Sequence, residues 1–477
     1  MRRARKFSLF VLLGLLPGCM VGPAYHPAAV KTALQWSSPL AGGETTNSGS
    51  VAFWWKNFND PKLDSLMDRA VRSNLDLKIA AARVREARAQ YRVTAADLWP
   101  TVEASASYQR QLQSMNQPLL GDIPLPGNIP FENNVYQAGF DASWEIDVFG
   151  GTRRATEAAK AVVAASVFGM RDTLVTLLSE VARNYIEARG YQRQLTIAHE
   201  NIRAQEDNLV ITQDRFKHGL TSDLDVQQAA TVLATTRAEV PTLENSLLAS
   251  IHGLGVLLGQ PPGALLEELS IVAPIPAAPP EVPVGLPSEL LLRRPDVQQA
   301  ERQLAAATAQ IGVATADLYP RFSLTGAFGY ESVSASDWFA GPSKMWSLGP
   351  TVQWKIFEGG RIRANIKVQN ARQEQALANY EKTMLTSFED VENTLVGYAK
   401  ERVRRRSLEE AVKHSQESLR LANQLYANGL TNFINVLDAE RSLYQAQDQL
   451  VQSERDVILN VIKLYKALGG GWNLSAG

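Results

Sequence analysis

The sequence has little cysteine, histidine or net charge, and no long apolar run beyond its N-terminus. One cysteine among 477 residues excludes an intrachain disulfide and a multi-cysteine zinc site. Basic and acidic residues nearly balance, 48 against 49, which argues against the basic surface of a nucleic-acid-binding protein. After residue 19 no uninterrupted apolar run reaches 18 residues, so no membrane-spanning helix is predicted. Any crossing of a bilayer must then use strands.

Catalytic patterns are also missing. The sequence contains no P-loop, no Gly-x-Ser-x-Gly elbow and no His-Glu-x-x-His motif. Five scattered histidines include no pair at helical metal-binding spacing; they are His26, His199, His218, His252 and His414. The acids lie mostly on heptad helices, where they usually form a solvated face. We therefore expect no enzyme, no metal site and no cofactor other than a covalent lipid.

That lipid is predicted at the only cysteine, which ends a secretory signal. Residues 1–18 combine four early basic residues with an apolar run over 7–16, typical of an export signal. The sequence Leu-Pro-Gly-Cys at 16–19 resembles a bacterial lipobox, which implies cleavage before Cys19 and lipid attachment to its thiol. The alternative is an ordinary cleavage site beside a chance cysteine. Met20, where Asp would resemble an inner-membrane retention signal, favours the outer membrane. The mature chain has 44 basic and 49 acidic residues, a net charge of −5.

The chain contains an internal repeat. Four landmarks recur in the same order, two of them at an offset of 210: residues 96–100 at 316–320, 149–155 at 357–364, 216–221 at 426–431, and 258–259 at 468–469. This order predicts a tandem duplication. We place a lipidated segment at 19–60, the first repeat at 61–260, a Pro-rich linker at 261–287, the second repeat at 288–470 and a tail at 471–477.

Each repeat contains two segments with strand periodicity. Residues 135–147 alternate between a polar and an apolar face, and 345–357 do the same. Partner strands are predicted at about 101–110 and 321–330. Apolar and polar residues alternating over roughly 9–11 positions fit an outer-membrane barrel, although two hairpins on a soluble core are an alternative. Four strands cannot close a barrel, since about eight are needed, so we expect several chains to share one.

The rest of each repeat is predicted to be long helix. Seven-residue steps from Val167 to Phe216 meet only apolar residues, and steps from Leu377 to Tyr426 have one exception, Arg405. This period indicates a coiled coil. Helices are predicted at 75–97, 152–217 and 223–258. A helix over 152–217 would span on the order of 100 Å.

Glycines interrupt these helices at two matching turns. The turn residues are Gly219, Leu220 and Thr221 in the first repeat and Gly429, Leu430 and Thr431 in the second. Thr221, Ser222 or Asp223, and Thr431 or Asn432, are candidate N-caps of the following helices. Beside the turns lie Asp223, Asp225, Ile434 and Asp438. Rings of such carboxylate or apolar side chains are able to close a pore.

One block of the sequence resembles a known family. Residues 291–301, Leu-Leu-Arg-Arg-Pro-Asp-Val-Gln-Gln-Ala-Glu, together with Ile311-Gly312 and Asp317–Pro320, resemble the signature of NodT-type outer-membrane efflux lipoproteins of resistance-nodulation-division systems. These are similar to OprM and, more distantly, to TolC. The resemblance covers residues 19 to about 470.

This resemblance implies a mainly α fold with membrane β-strands. It implies a TolC-like homotrimer with a 12-stranded β-barrel, four strands per chain, on a long periplasmic coiled-coil barrel. It also implies an adaptor protein at the helical turns and an inner-membrane proton-driven pump. The family's hydrophobic ring and nearby aspartate correspond to Ile434 and Asp438. Tyr398 aligns where OprM-like members have an arginine that pairs with this aspartate.

The implied function is passive export of drugs or other small toxic compounds across the outer membrane, by a lipid-anchored chain that extends into the periplasm. A TolC-like duct for type I protein secretion is an alternative. A periplasmic coiled-coil adaptor, which would lack the duplicated strands, and an enzyme carried on an outer-membrane lipoprotein are two others.

Overall fold

The structure is a computed structural model that describes residues 20–27, 35–38, 44–45, 51–112, 132–279 and 281–472. The predicted signal peptide and Cys19 lie outside the described residues. Long helices and short strands alternate along the chain. In chain order they are β1 (Glu44–Thr45), α1 (Pro61–Ser73), α2 (Leu75–Ala96), β2 (Thr101–Leu112), β3 (Glu132–Ile146), α3 (Gly151–Lys217), α4 (Asp223–Leu257), α5 (Leu266–Leu269), β4 (Val282–Pro283), α6 (Pro287–Arg293), α7 (Pro295–Ala316), β5 (Arg321–Ser332), β6 (Lys344–Gln353), α8 (Arg361–Ala427) and α9 (Phe433–Ala467).

Corresponding helices in the two halves have equal lengths. Helices α2 and α7 have 22 residues each, α3 and α8 have 67, and α4 and α9 have 35. The predicted linker holds only short elements between extended segments, and its β4 pairs in parallel with β1. Proline is abundant there and cannot continue a helix.

The chain forms two compact units, each of which takes segments from both predicted repeats. The sheet unit contains Arg85–Ala164 and Glu301–Ala378 with the N-terminal segment. The helical unit contains Ala29–Val84, Ala165–Ala300 and Asn379–Gly477. The repeats are therefore interleaved in space.

The sheet unit holds a four-stranded antiparallel sheet in the order β2-β3-β5-β6. Its register places successive cross-strand rows on opposite faces. One row aligns Ala104, Phe140, Phe328 and Trp346, and the neighbouring row aligns Glu103, Asp141, Ala327 and Ser347. Apolar side chains therefore gather on one face and polar ones on the other. Within the part of the chain that the structure describes, β2 and β6 each pair on one side only.

The last strand is shorter than predicted. We expected it to reach residue 357, but β6 ends at Gln353, opposite Arg321. Pro320 and the turn after α7 come directly before Arg321, so the next four residues have no strand to pair with. The Trp354 indole instead donates to the Leu318 carbonyl at 3.1 Å, as Trp144 does to Leu98 at 3.0 Å.

The core of the helical unit contains stacked aromatic residues and the apolar faces of five helices. Trp54 stacks on Tyr465 with ring centroids 5.2 Å apart, and both are almost fully buried. Side chains from α1, α3, α4, α8 and α9 complete it, including Leu63, Leu66, Leu178, Ile186, Leu254 and Val461. Burial of this apolar surface stabilises the unit through the hydrophobic effect.

One described helix meets the length and composition criteria for a membrane span. Helix α3 contains an 18-residue window with mean hydropathy 1.5, of which 22% is buried. We predicted no such helix because no uninterrupted apolar run reaches 18 residues. That requirement is stricter than a mean hydropathy over 18 residues, which α3 satisfies. At 67 residues, α3 is far longer than the roughly 20 residues that a span requires.

Candidate functional site

The two glycine turns have the same backbone geometry. Gly219 and Gly429 have φ of +71° and +72°, the left-handed region that favours glycine. The Leu220 amide donates to the Arg215 carbonyl at 2.8 Å, and the Leu430 amide donates to the Leu425 carbonyl at 2.9 Å. These six-residue bonds are typical of a Schellman helix end. A Cβ added at either glycine would meet nothing within 4 Å, so the backbone alone requires glycine there.

The predicted N-cap side chains act differently from expectation. Ser222 and Asn432 occupy the N-cap positions of α4 and α9, but neither side chain makes a capping hydrogen bond. The Thr221 hydroxyl instead donates to the Asp225 carboxylate, and the Asn435 amide donates to the Thr431 hydroxyl at 2.5 Å. Side chains four residues apart therefore bridge each turn. The N-cap positions at Ser222 and Asn432 agree with the prediction, but the expected side-chain capping bonds are not formed.

Four helix ends pack together behind these turns. Ala229 and Val232 of α4 form a buried cluster with Phe433, Val436 and Leu437 of α9. Partly buried residues of α3 and α8 pack against it; they are Leu209, Leu419, Ala422 and Tyr426. The Arg215 guanidinium lies over the Tyr426 ring, 4.5 Å from its centroid. This packing fixes which face of α9 is left exposed.

Ile434 and Asp438 lie on that exposed face. They are one helical turn apart and therefore neighbours, and Ile434 is 39% exposed. The Asp438 side chain is also exposed and makes no hydrogen bond or ion pair with the described residues of its own chain. An apolar side chain and an unpaired carboxylate therefore lie side by side on the exposed face of α9.

Asp223 and Asp225 lie in the first turn of α4. Asp223 accepts a hydrogen bond from Gln227 at 3.4 Å, and Asp225 accepts the Thr221 bond described above. Acidic residues at this position also complement the positive end of the helix dipole. Within the described part of the chain, no hydrogen bond joins either one to Asp438.

The alignment that placed Tyr398 opposite Asp438 is wrong. Tyr398 is 2% exposed and belongs to the core around Trp54 and Tyr465. It precedes the end of α8 at Ala427 by 29 residues, whereas Asp438 lies five residues after the start of α9. If α8 and α9 pack antiparallel, Tyr398 and Asp438 lie at different heights along the pair. At about 1.5 Å per residue they are tens of ångströms apart.

Sequence reasoning missed a row of polar contacts between α3 and α9. The Asn208 amide donates to the Glu440 carboxylate. Further along, Asn201 donates to Gln447 at 3.2 Å, and Gln194 donates to Asp448 at 2.6 Å. A seven-step scan for polar residues would have found them, because Gln194, Asn201, Asn208 and Arg215 are spaced by seven.

Glu440 is the unusual member of this row because it is 6% exposed. Burial raises the pKa of its carboxyl to about 7, although the Asn208 hydrogen bond opposes the rise. A carboxylate that titrates near neutrality thus lies two residues beyond Asp438, on the packed side of α9.

The arginine-rich signature block has a structural role in the helical unit. Arg294 is buried between α6 and α7, where it donates to Asp296 at 2.6 Å and to Asp390 of α8 at 2.9 Å. It also donates to the Ala467 carbonyl at 3.3 Å. One side chain therefore ties the start of α7 to α8 and to the end of α9.

The segment that follows Cys19 is fixed within the sheet unit. The Val21 amide donates to the Phe149 carbonyl at 3.1 Å, and Arg154 donates to the Val21 carbonyl at 3.1 Å. A Cβ on Gly22 would be 2.4 Å from the Gly312 Cα. This close approach requires glycine, and it holds residues 21–22 beside the start of α3.

Comparison with known proteins identifies the family. The family model for outer membrane efflux proteins matches residues 66–260 and again 286–470. The chain belongs to this family. The efflux protein is 31% identical to nodulation protein T of Rhizobium leguminosarum bv. trifolii, over 99% of this chain and 98% of that protein. It is 32% identical to the solvent efflux pump outer membrane protein SrpC of Pseudomonas putida, over 99% of both.

A solved structure supports the same assignment. The outer-membrane channel OprN matches with a TM-score of 0.88 and 34% identity, over 95% of this chain and all of that one. The resemblance to NodT-type efflux proteins and the outer-membrane location are therefore confirmed. Among the described residues, no group of three or more potential metal ligands is present.

Proposed function

We propose that this efflux protein is the outer-membrane duct of a tripartite pump and works as a homotrimer. The observation that carries this proposal is the four-stranded sheet, whose edge strands β2 and β6 each lack a partner on one side among the described residues. Unpaired backbone groups are costly in lipid. Three copies joined edge to edge would close a 12-stranded barrel and remove every edge.

Export through the duct is passive in this proposal. Drugs or other small toxic compounds enter from an inner-membrane proton-driven pump through a periplasmic adaptor, which would contact the turns at Gly219–Thr221 and Gly429–Thr431. Leu220 and Leu430 support this contact, because they are 67% and 74% exposed at the ends of long helices. The name of the relative SrpC, a solvent efflux pump protein, supports small apolar cargo.

The gate is assigned to the exposed face of α9. Ile434 and Asp438 from three chains would form an apolar ring beside an acidic one. Asp223 and Asp225, in the first turn of α4, would add carboxylates at the corresponding turn of the first repeat. Such rings close a pore by excluding water and by their charge.

Two further parts of the proposal concern the chain itself. Cys19 carries the lipid anchor, which the fixed segment Val21–Gly22 would hold beside the start of α3. The two halves arose by tandem duplication, which the equal helix lengths and the double match to one family model support.

Single-channel recording in planar bilayers tests the gate. We expect Ile434→Ser combined with Asp438→Ala to raise the conductance of the closed duct, because the apolar ring and the charge ring are both removed. The matched control is Leu224→Ser with Gln228→Ala, which changes the residues at the same positions of α4, 210 residues earlier. Conductance equal to that of the wild type would remove the gate assignment.

A further inference from the structure

Helix α8 carries a dense basic stretch that the duct function does not explain. Residues 400–406 read Lys-Glu-Arg-Val-Arg-Arg-Arg, five cations and one acid, in a mature chain that is net negative. Glu401 pairs with Arg404 at 3.0 Å. Arg405 is the single exception in the apolar seven-step series of this helix. The stretch therefore places a cation, Arg405, at a heptad position that is apolar elsewhere in this helix.

This stretch borders a cavity of about 450 Å³ in the helical unit. One wall is the linker segment Pro274–Pro279, and we call the space the strap cavity. Its basic side chains are Arg193 of α3 with Arg402 and Arg405 of α8. The volume falls within the range of small-molecule sites, about 300–1,000 Å³.

The remaining walls of the strap cavity are apolar. Tyr398, Val457 and Ile458 line it, and all three belong to the core and are nearly buried. The proline-rich strap faces them. Because the three core side chains are only 1–3% exposed, the apolar surface open to a ligand is chiefly that of the strap, with the cations on another side.

Among the residues that line the cavity, cations outnumber acids. Glu454 is the one acid among its lining residues, and burial raises the pKa of Glu454 although Arg405 and Arg193 oppose the rise. Arg193 makes no hydrogen bond or ion pair with the described residues. The Arg405 Nε lies 3.1 Å from a Glu409 carboxylate oxygen on its own helix, in a partly exposed ion pair that lacks the geometry of a hydrogen bond. Its guanidinium therefore keeps donors that an anion in the cavity could engage.

We propose that the strap cavity binds a small amphipathic anion, with a carboxylate or phosphate group between Arg193 and Arg405 and an apolar body against the strap residues Pro274–Pro279. Planar guanidinium groups suit both oxyanions, and such charge-assisted hydrogen bonds are the strong class. This binding goes beyond passive conduction, which needs no dedicated site.

Fluorine NMR titration of the purified full chain in lipid nanodiscs tests the proposal. The probes are trifluoromethyl-substituted benzoate and phenyl phosphate, with the correspondingly substituted benzyl alcohol as the neutral analogue and empty nanodiscs as the blank. We expect saturable binding of at least one anion and none of the alcohol. Binding should weaken with added salt because the contact is ionic.

Substitutions locate the binding. Arg193→Gln and Arg405→Gln should each weaken anion binding by about tenfold, the usual effect of losing one charge-assisted hydrogen bond. Arg404→Gln is the matched control, since it lowers the charge of the same stretch without lining the cavity, and should leave affinity unchanged. Equal binding of alcohol and anions, or unchanged affinity in both cavity variants, would overturn the proposal. Because the readout is binding, it is independent of conductance and of the gate.

Discussion

Replacement of Glu440 by glutamine provides a quantitative test of the packing near the gate. The wild-type carboxylate is buried against α3 and accepts a hydrogen bond from Asn208. Glutamine has nearly the same shape and retains the accepting oxygen. The substitution therefore removes a titratable group while keeping the contact.

The expected magnitude follows from the pKa of Glu440. Burial raises it from 4.5 to about 7, so the folded state holds the proton more tightly than the unfolded state does. The stability that this contributes is complete below pH 4.5 and is lost as the pH rises through about 7. The loss totals about 3 kcal/mol, from 1.36 kcal/mol per pKa unit. In the glutamine variant this pH dependence should disappear.

Hydrogen exchange measured by mass spectrometry is the appropriate assay. Peptides covering 433–444 of the protein in nanodiscs should lose protection between pH 5 and pH 8, after correction for the intrinsic exchange rate. At pH 8, Glu440→Gln should exchange about two orders of magnitude more slowly than the wild type if the full 3 kcal/mol acts on local opening. At pH 5, about half a unit above the unfolded pKa of 4.5, the difference should shrink to roughly fourfold.

The control is Glu410→Gln, which changes an exposed glutamate on α8 and should follow the wild-type profile. If Glu440→Gln shows the same pH dependence as the wild type, the carboxylate does not titrate in the buried state, and the reasoning from burial is refuted.

Two further predictions concern the signature block and the anchor. Arg294→Gln should destabilise the helical unit by about 2 kcal/mol, because Asp296 and Asp390, which are 27% and 46% exposed, lose their hydrogen bonds from a charged side chain. The midpoint of thermal unfolding should fall, whereas Arg420→Gln, which breaks an exposed pair with Glu417, should not move it. An unchanged midpoint for Arg294→Gln would contradict the role of that side chain. Cys19→Ser should abolish incorporation of labelled palmitate, and persistent labelling would rule out Cys19 as the lipid site.

Periodicity made much of the fold predictable. Two-residue alternation predicted strands at 101–110 and 321–330, and the structure has strands at Thr101–Leu112 and Arg321–Ser332. Seven-residue steps predicted a helix over 152–217, where α3 occupies Gly151–Lys217. The end of β6 was missed because alternation continues to residue 357, while the partner strand begins only at Arg321.

Contacts between distant segments were not predictable. The bond from Asn208 to Glu440 joins residues 232 positions apart, and the strap cavity combines the linker with three helices. Tyr398 was assigned to the gate by alignment, whereas the length of α8 beyond it places it in the core.

The amino-acid pattern was sufficient to locate the local elements of this efflux protein, because backbone geometry fixes strand and helix periods and requires glycine at positive φ. The arginine-rich block was sufficient to identify the family. The folded chain was needed to show that the two repeats interleave in two units, and that Arg294 joins three helices. It was also needed to show that Glu440 is buried while Asp438, two residues before it, is exposed. Burial and ion pairing depend on contacts between segments that are distant in the sequence, and these contacts set the pKa of a carboxylate such as Glu440.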